Sequence, residues 1–449
     1  MNALPLDKDE IERLNALDPF AAAIGLVEAG RVGDSGPYWR RAIAAAPRDG
    51  QRWYAWGATL GQVGKYEEAE KALWGAIALG YEASPVWEAL GVIYVRLRKL
   101  VEAEQAYREA VRRDSGNVAA WAALGNAAYA IGDRSRGLAC MEKAAGLGAR
   151  VGSPDVANAA QIRLWLGHWR LGWKAYEGRR DMSEWRNSNR EMPSLPGGPL
   201  AVREGVWLRR IEQGKYGPLD ERPIIVSAEQ GQGDAVQFAR FLPVVADRLK
   251  VPVWFRAHSD LVPMMRGAFE GDDRIRVLDK GDTIGPEDAQ GWVPLMSLPH
   301  FLRIRSAREL PPPIQPFGKQ WVGGRGVYVH EQGNTAHAYD WDRSAPQGTL
   351  TNMVADAGLP VLRYQPGDNW ETTVERLLSC ARVVTVDTAL AHVAASLGIP
   401  TDIFVPTLPE WRWGSKRLRI SAWYPSAVLW HRETSQDWAG VAGQWRAAQ

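Results

Sequence analysis

Residues 383–406 read VVTVDTALAHVAASLGIPTDIFVP. The stretch opens with an apolar run typical of a buried β-strand, and small apolar residues at helical spacing follow it. Gly398 and Pro400 are expected to end that helix, and a second apolar run, TDIFV, comes directly after them. The order strand, helix, strand predicts two parallel strands joined by a helix.

Asp387 and Thr388 stand between the first strand and the helix, where Thr388 is a natural helix cap. A helix N-terminus carries unpaired backbone N–H groups and about half a positive charge, so it attracts phosphate. His392 is one turn further along the same face, and its side chain leans back toward the helix start. We therefore expect His392 to reach an anion bound there. The alternative for a lone histidine is a core residue that hydrogen-bonds the backbone.

The chain around this stretch repeats the alternation of strand and helix in two series. The predicted elements are the strands PIIVSAE (223–229) and VPVWFRA (251–257) with a helix over 235–249 between them, and later the strands RGVYVH (325–330) and LPVLRYQ (359–365) with a helix over 370–381. The proline-rich segment 311–318 is predicted to be the linker between the series. Two series predict two α/β domains with parallel sheets and a cleft between them. Ligands bind such sheets beyond the carboxyl ends of the strands, where residues 230–234 and 387–392 lie.

The N-terminal third contains three copies of one block. Trp53, Trp87 and Trp121 follow each other at a spacing of 34 residues, and small residues recur in register after each. These small residues are Gly57, Gly91 and Gly125, then Ala69, Ala103 and Gly137, then Ala76, Ala110 and Ala144. The pattern is that of tetratricopeptide repeats, in which pairs of antiparallel helices stack into a superhelix with a concave groove. A weaker copy precedes them at Trp39, and a degenerate one follows over residues 163–180.

Composition narrows the class of protein. The chain has 449 residues with 54 Lys and Arg against 52 Asp and Glu, so no overall field attracts nucleic acid or a membrane. Two cysteines, in apolar helical patterns, exclude a disulfide framework. The N-terminus has no apolar signal core, and no apolar run reaches the roughly 18 residues of a membrane span. Seven histidines without ligand spacing predict no metal site. We expect a cytoplasmic protein that does not bind nucleic acid.

Six segments in a fixed order resemble bacterial tetratricopeptide-repeat glycosyltransferases, which are related to the O-GlcNAc transferase and heptosyltransferase families. The segments are LGHWRLGWKAYEGRR (166–180), EQGQGDAVQFARFLP (229–243), MSLPH (296–300), EQGNTAHAYDWDRSAP (331–346), DTALAHVAASLGIP (387–400) and LPEWRWG (408–414). The resemblance implies a GT-B fold of two Rossmann-like halves behind the repeats. Its implied boundaries are 1–185 for the repeats, 186–312 for the acceptor-side half and 313–449 for the nucleotide-sugar half.

The same resemblance implies an inverting transfer, without a metal or other cofactor, from a nucleoside-diphosphate sugar, with UDP favoured. The diphosphate would contact the backbone of Thr388, Ala389 and Leu390 and the side chain of His392, while Asp387 would touch the sugar. Gly333 and Asn334 belong to a loop expected near the donor.

Three residues receive catalytic roles from the resemblance. Asp234 would take the proton of the acceptor hydroxyl, and its alternative is a helix cap. Arg343 would neutralise charge on the departing diphosphate, and its alternative is an ion pair with Asp340 or Asp342. His330, where many relatives differ, is a secondary candidate.

On the acceptor side, Glu229, Gln230 and Gly233 are expected at the edge of the first sheet. The segment MSLPH is expected to shape the same side, with Ser297 and His300 as local caps in the alternative interpretation.

Rival functions stay open on the sequence. The repeats could serve a non-catalytic adaptor whose GT-B body has lost activity. A nicotinamide-dependent oxidoreductase would need a third glycine where Val236 stands. A nucleotide-sugar epimerase is a further possibility, although a repeat array favours a macromolecular acceptor. The sequence therefore predicts a glycosyltransferase whose repeats hold a protein acceptor.

Overall fold

The computed structural model describes residues 6–147, 154–181, 221–284, 288–289, 291–334, 340–363, 367–407, 410–414, 419–432 and 437–449. The chain divides into two compact units, Met1–Arg150 and Val151–Gln449. The boundary expected at residues 185–186 lies outside the described residues.

The described part of the first unit is built from α-helices. They are α1 (Lys8–Ala16), α2 (Pro19–Glu28), α3 (Gly36–Ala45), α4 (Gly50–Gln62), α5 (Tyr66–Ala78), α6 (Ser84–Arg96), α7 (Leu100–Arg113), α8 (Val118–Ala130) and α9 (Arg134–Gly146). Helices α4 to α9 form three pairs that coincide with the three sequence blocks. The weaker copy at Trp39 is also a helix pair, because α2 packs on α3 around that buried indole.

Small residues lie where the paired helices approach each other most closely. A Cβ on Gly91 would come 2.5 Å from the ring of Tyr107. On Gly57 it would meet the Leu73 side chain at 2.8 Å, and on Gly125 the Met141 side chain at 2.7 Å. These distances are shorter than any ordinary carbon contact, so the helix spacing depends on glycine. The predicted register of small residues is confirmed.

The second unit begins with the helix pair α10 (Pro154–Trp165) and α11 (Trp169–Tyr176). The sequence analysis grouped this degenerate pair with the repeats, whereas the structure places it with the sheets. The reason is aromatic packing: Trp173 meets Trp411 edge-on at 5.2 Å between ring centroids, and Trp169 stacks on Trp423 at 5.7 Å. Such contacts stabilise the pair beyond its buried area.

The first sheet is parallel, with strand order β3-β2-β1-β4. Its strands are β1 (Ile224–Ser227), β2 (Val253–Ala257), β3 (Ile275–Asp279) and β4 (Gly291–Pro294). The single helix predicted over residues 235–249 is instead α12 (Gln232–Phe238), a 3₁₀ turn (Ala239–Phe241) and α13 (Leu242–Leu249). Pro243 accounts for the break, since proline has no N–H and its ring excludes the carbonyl four residues earlier. The helices α14 (Val262–Ala268) and α15 (Leu298–Phe301) complete this half.

The second sheet is also parallel, with strand order β6-β5-β7-β8-β9. Its strands are β5 (Val327–His330), β6 (Val361–Arg363), β7 (Arg382–Val386), β8 (Thr401–Val405) and β9 (Ala427–His431). Its helices are α16 (Asp340–Arg343), α17 (Thr349–Asp356), α18 (Trp370–Ser379), α19 (Ala389–Ser396) and α20 (Trp438–Ala447). The opening stretch is therefore β7, α19 and β8, as predicted.

The proline-rich segment 311–318 connects the two sheets. It is not a loose linker, since Ile314 and Pro316 are buried and the backbone of Phe317 packs on Gly267 of α14. One continuous apolar core spans both sheets and the α10–α11 pair. In the part of the chain that the structure describes, no helix is both long and apolar enough to cross a bilayer.

Candidate functional site

One cavity of about 1900 Å³ lies in the second unit, beyond the carboxyl ends of strands from both sheets. The first half lines it with residues that follow β1 and β2, and the second half with residues that follow β5 and β7. The lining includes twelve of the predicted site residues: Gln230, Gly233, Asp234, His330, Gly333, Asn334, Arg343, Asp387, Thr388, Ala389, Leu390 and His392. Residues that follow four different strands thus meet at a single site.

The start of α19 faces this cavity. Strand β7 ends at Val386, and Thr388 takes the N-cap position with an extended backbone. The side-chain cap expected from Thr388 is not formed, because its hydroxyl lies 3.5 Å from the carbonyl oxygen of Val386 instead. The first N–H groups of α19 are therefore not satisfied by a capping side chain, and a ligand anion would find donors there.

Helix α17 also begins on the cavity, and there a side chain of the protein itself satisfies the first backbone donors. The carboxylate of Glu331 accepts hydrogen bonds from the backbone of Gly348 at 2.5 Å, Leu350 at 2.9 Å and Thr351 at 3.2 Å. A carboxylate in this place satisfies the donors that would otherwise bind an external anion. The start of α19 is therefore better suited than the start of α17 to bind an anion.

His392 is buried, with 2% of its surface exposed. Its Nδ1 lies 2.9 Å from the Tyr424 hydroxyl, and its ring stacks on Trp413 at 5.1 Å. Burial lowers the pKa of His392 well below its usual value, and the nearby cations Arg412 and Arg240 lower it further. The imidazole is therefore neutral at physiological pH and can contribute hydrogen bonding but not charge. Its partner is a tyrosine, not the backbone atom of the alternative interpretation.

Asp387 directly follows β7 and is also buried. Burial raises its pKa to about 6, with a further upward contribution from Glu410 and an opposing one from Arg412. A carboxyl with such a pKa changes its protonation close to neutral pH.

Asp234 lies in the first turn of α12, where its carboxylate accepts a hydrogen bond from the Gly231 N–H at 3.1 Å. The helix-cap alternative is thus realised, although from the third helical position. The same carboxylate forms an ion pair with Arg412 Nη2 at 2.5 Å. Burial raises the pKa of Asp234, and Arg412 opposes that rise. The Asp234 side chain is thus held by a hydrogen bond within the first turn of α12 and by the charge of Arg412 from the half that contains the second sheet.

Arg343 is the last residue of α16 and lies beside Gly333, where a Cβ would come 2.9 Å from its guanidinium. It forms the ion pair with Asp340 that the alternative interpretation foresaw, at 3.3 Å. The residue nevertheless lines the cavity. His330 ends β5 at the same edge, and burial lowers its pKa.

The acceptor-side residues separate into two groups. Gln230 and Gly233 line the cavity, whereas Glu229 does not. The Glu229 carboxylate is buried against Arg179, with contacts of 2.7 and 3.0 Å, and it also accepts the Met296 N–H at 2.9 Å. The prediction that Glu229 lies on the acceptor side of the cavity is not met: its buried ion pair connects Arg179, in the turn that follows α11, to the first sheet.

The segment MSLPH joins the same buried network and not the cavity. Ser297 donates a hydrogen bond to Glu177 at 2.9 Å and accepts one from Arg179 at 3.0 Å. Neither Ser297 nor His300 is part of the lining.

Several lining residues were missed by the sequence analysis. Trp370 Nε1 donates to Gln232 Oε1 at 2.9 Å, and Gln232 Nε2 donates to Asp260 Oδ2 at 3.1 Å, so a chain of polar contacts joins the two halves at the cavity. Arg412 was quoted within LPEWRWG but received no role. These residues come from separate loops, and no local pattern connects them. Across the described residues, His, Cys, Asp and Glu do not gather in a group of three suited to a metal ion.

Comparison with known proteins identifies the repeats. Residues 54–118 match the family model described as tetratricopeptide repeat. No curated protein matches the chain. Among solved structures, the chain is similar to YrrB, a TPR protein with an unusual peptide-binding site (15% identity, TM-score 0.34, covering 39% of this chain and 90% of YrrB).

Two further structures are similar over comparable shares of the chain. TTC0263, a thermophilic TPR protein of Thermus thermophilus, has 17% identity and a TM-score of 0.32 over 38% of this chain and 93% of its own. The pilF protein of Pseudomonas aeruginosa has 18% identity and a TM-score of 0.31 over 39% and 76%. The family match covers the first two of the three sequence blocks, so the helix pairs α4–α5 and α6–α7 are tetratricopeptide repeats, and the pair α8–α9 carries the same sequence block.

Proposed function

We propose that the second unit is a GT-B glycosyltransferase that moves a sugar from a nucleoside-diphosphate sugar to a hydroxyl group of a protein held by the repeats. The observation that carries the proposal is the cavity itself. An uncapped helix start, the arginines Arg343 and Arg412, and the half-buried carboxylate of Asp234 from the other sheet line one space. Both described cysteines are free and buried, which agrees with action in the cytoplasm.

The donor diphosphate would bind at the start of α19. Backbone donors of Ala389 and Leu390, the helix dipole and the Arg343 guanidinium together supply positive potential for it. As the bond from the anomeric carbon to the phosphate oxygen breaks, negative charge builds up on that oxygen, and Arg343 would stabilise it. A neutral His392 would contribute a hydrogen bond from the side of α19.

Asp234 would act as the general base from the other sheet. The acceptor hydroxyl attacks the anomeric carbon on the face opposite the diphosphate, its proton passes to the Asp234 carboxylate, and the diphosphate leaves with the bonding electrons. A pKa raised by burial makes a carboxylate a better proton acceptor than one in water. Attack opposite the leaving group inverts the configuration of the sugar carbon.

Donor binding is tested by calorimetry and thermal shift with UDP-, GDP-, ADP-, CMP- and dTDP-sugars. A ligand at 100 times its Kd stabilises the folded protein by about 2.7 kcal/mol, which is easily detected. Arg343→Gln should weaken binding of the active nucleotide about tenfold or more, since a charge-assisted contact to phosphate is lost. Arg446→Gln is the matched control, because Arg446 also pairs with an aspartate of this unit, Asp356, but lies at the surface. Equal affinity in both variants would contradict the donor site.

The base is tested by Asp234→Asn. Transfer should fall by about 10² to 10⁴, the usual contribution of a general base, while donor affinity stays within a fewfold of the wild type. If no sugar nucleotide binds the wild type at millimolar concentration, the glycosyltransferase proposal fails, and the adaptor function becomes the one to test.

A further inference from the structure

We propose that Arg412 is a positioning residue for this site: its guanidinium holds the Asp234 carboxylate at the cavity and keeps it in the form that accepts a proton. The catalytic consequence rests on the proposed function, whereas the pair itself can be tested without any substrate.

The location of Arg412 is set by aromatic neighbours on both sides. It lies in a short 3₁₀ turn after β8, between Trp411 and Trp413, and only 7% of it is exposed. Trp411 packs edge-on against Trp173 of α11, and Trp413 stacks on His392 of α19. With each flanking indole buried, the guanidinium has little freedom to leave the cavity wall.

Arg412 is the cation that interacts with three carboxylates of the cavity. It contacts Asp234 at 2.5 Å and Glu410 at 2.7 Å, and the charge of Asp387 also acts on it. The Glu410 side chain is 41% exposed, so solvent screens it, while the Asp234 side chain is only 13% exposed and Asp387 is buried. A buried carboxylate that loses its cation is left uncompensated, which is costly.

The charges around Asp234 determine what Arg412 does for it. Besides Arg412, the groups that face Asp234 are Glu410, Glu229 and the Tyr176 hydroxyl, none of which is a cation. Without Arg412, burial and these neighbours would favour the protonated acid, and the hydrogen bond from the Gly231 N–H would oppose them. A protonated Asp234 has no capacity for the acceptor proton, so less of the base would be available at a given pH.

Arg412 itself does not exchange a proton in the step. Its neighbouring carboxylates raise its already high pKa, so it stays charged while the hydroxyl proton moves to Asp234. We therefore assign it no contact with the sugar and no share of the bond changes described above.

The pair is tested first without substrate, by the pH dependence of Tm between pH 5 and 8. Arg412→Gln should lose stability relative to the wild type, and the loss should grow as pH rises, because the protonated acid is the stable buried form and ionisation destabilises it. Glu410→Gln is the control, since it removes the exposed carboxylate from the same guanidinium and leaves the pair with Asp234 intact. Because Glu410 raises the pKa of both Asp234 and Asp387, this variant should lose less stability than the wild type as pH rises, the opposite of Arg412→Gln.

Double variants identify which carboxylate depends on Arg412. Adding Asp234→Asn to Arg412→Gln should remove most of the pH-dependent loss, and adding Asp387→Asn should remove less of it. If Asp387→Asn removes it and Asp234→Asn does not, or if the loss is the same at every pH, the proposal is overturned.

The catalytic consequence is read from the transfer rate. In Arg412→Gln the acid limb of the pH–rate profile should move to higher pH, with transfer at pH 7 reduced about tenfold or more, while donor affinity changes little. Arg412→Lys, which keeps the charge and guards against a variant that fails to fold, should restore the wild-type acid limb. An acid limb of Arg412→Gln that stays at the wild-type position would refute the positioning role. Absence of sugar-nucleotide binding by the wild type would instead refute the proposed function and leave the Tm test valid.

Discussion

Asp387 shows how burial of one side chain makes stability depend on pH. Its pKa of about 6 lies above the ordinary value of 3.8, so the folded state binds this proton more tightly than the unfolded chain does. The stability that comes from this protonated acid is complete below about pH 4 and is lost as pH rises through about 6.

We predict that Asp387→Asn removes this part of the pH dependence. Compared with the wild type, the variant should gain up to about 3 kcal/mol of unfolding free energy between pH 4 and pH 7, since the amide cannot ionise. Thermal unfolding at intervals of half a pH unit measures it. Curves for wild type and variant that run parallel across this range would disprove the assignment.

Gly233 provides a steric test of the cavity wall. A Cβ at this position would lie 2.7 Å from Cδ2 of His392 and 3.3 Å from the Cα of Ala389. Gly233→Ala should therefore separate α12 from α19 and lower the unfolding free energy by about 1–3 kcal/mol. Gly231→Ala is the control, because its Cβ would make an ordinary 3.4 Å contact with Asp234. Calorimetric unfolding of both variants tests whether the packing of α12 on α19 requires a residue without a Cβ at position 233.

At the residue scale, the sequence predicted where a residue lies in its element better than it predicted which distant side chain that residue contacts. The end of a strand followed by a helix is a local pattern, so Asp387 and Thr388 could be placed from their neighbours alone. The partner of Asp234 is 178 residues away in sequence. Such a contact depends on how two sheets pack, and no local periodicity encodes it.

At the scale of elements, the spacing between paired helices depends on single glycines. We predict that Gly91→Ala lowers the Tm, with a cost of about 1–3 kcal/mol, because the Tyr107 ring is buried and cannot move aside. Gly25→Ala in α2 is the matched control. No heavy atom lies within 4 Å of its Cβ position, so alanine should stabilise that helix by about 0.5–1 kcal/mol. The two Tm values should move in opposite directions, and a shared direction would contradict the packing argument.

Helices and strands were predicted well where one sequence period dominated. They were predicted less well where contacts between distant residues determine how an element packs. The 34-residue spacing identified the repeat helices, because each block carries the same small residues. The pair α10–α11 has similar residues, yet its indoles pack against Trp411 and Trp423 of the second unit. Its grouping with the sheets follows from those distant aromatics, which a comparison of neighbouring blocks does not reveal.

At the scale of the whole molecule, the proposed reaction assigns different ligands to the two units. We predict that a UDP-sugar, or the sugar nucleotide that calorimetry selects, slows hydrogen exchange at the backbone of residues 387–392 and 331–334. Exchange in the repeats at residues 54–118 should not change, because no donor group is expected there. Mass spectrometry of peptides from the bound and free protein measures both. Protection confined to the repeats would contradict the assignment of the donor to the cavity.

The aromatic packing around α11 also bears on the order in which the chain can fold. Contacts within a repeat join residues close in sequence, so each helix pair can form soon after it emerges from the ribosome. The second unit can fold only after nearly all of it has been synthesised. Arg240 donates a hydrogen bond to the backbone of Trp423, 183 residues later, and the indoles of α11 become buried only when Trp411 packs against them. Its exposed tryptophans would meanwhile be available to chaperones. The repeats can thus be folded and ready for a partner while the unit that carries the cavity is still being synthesised.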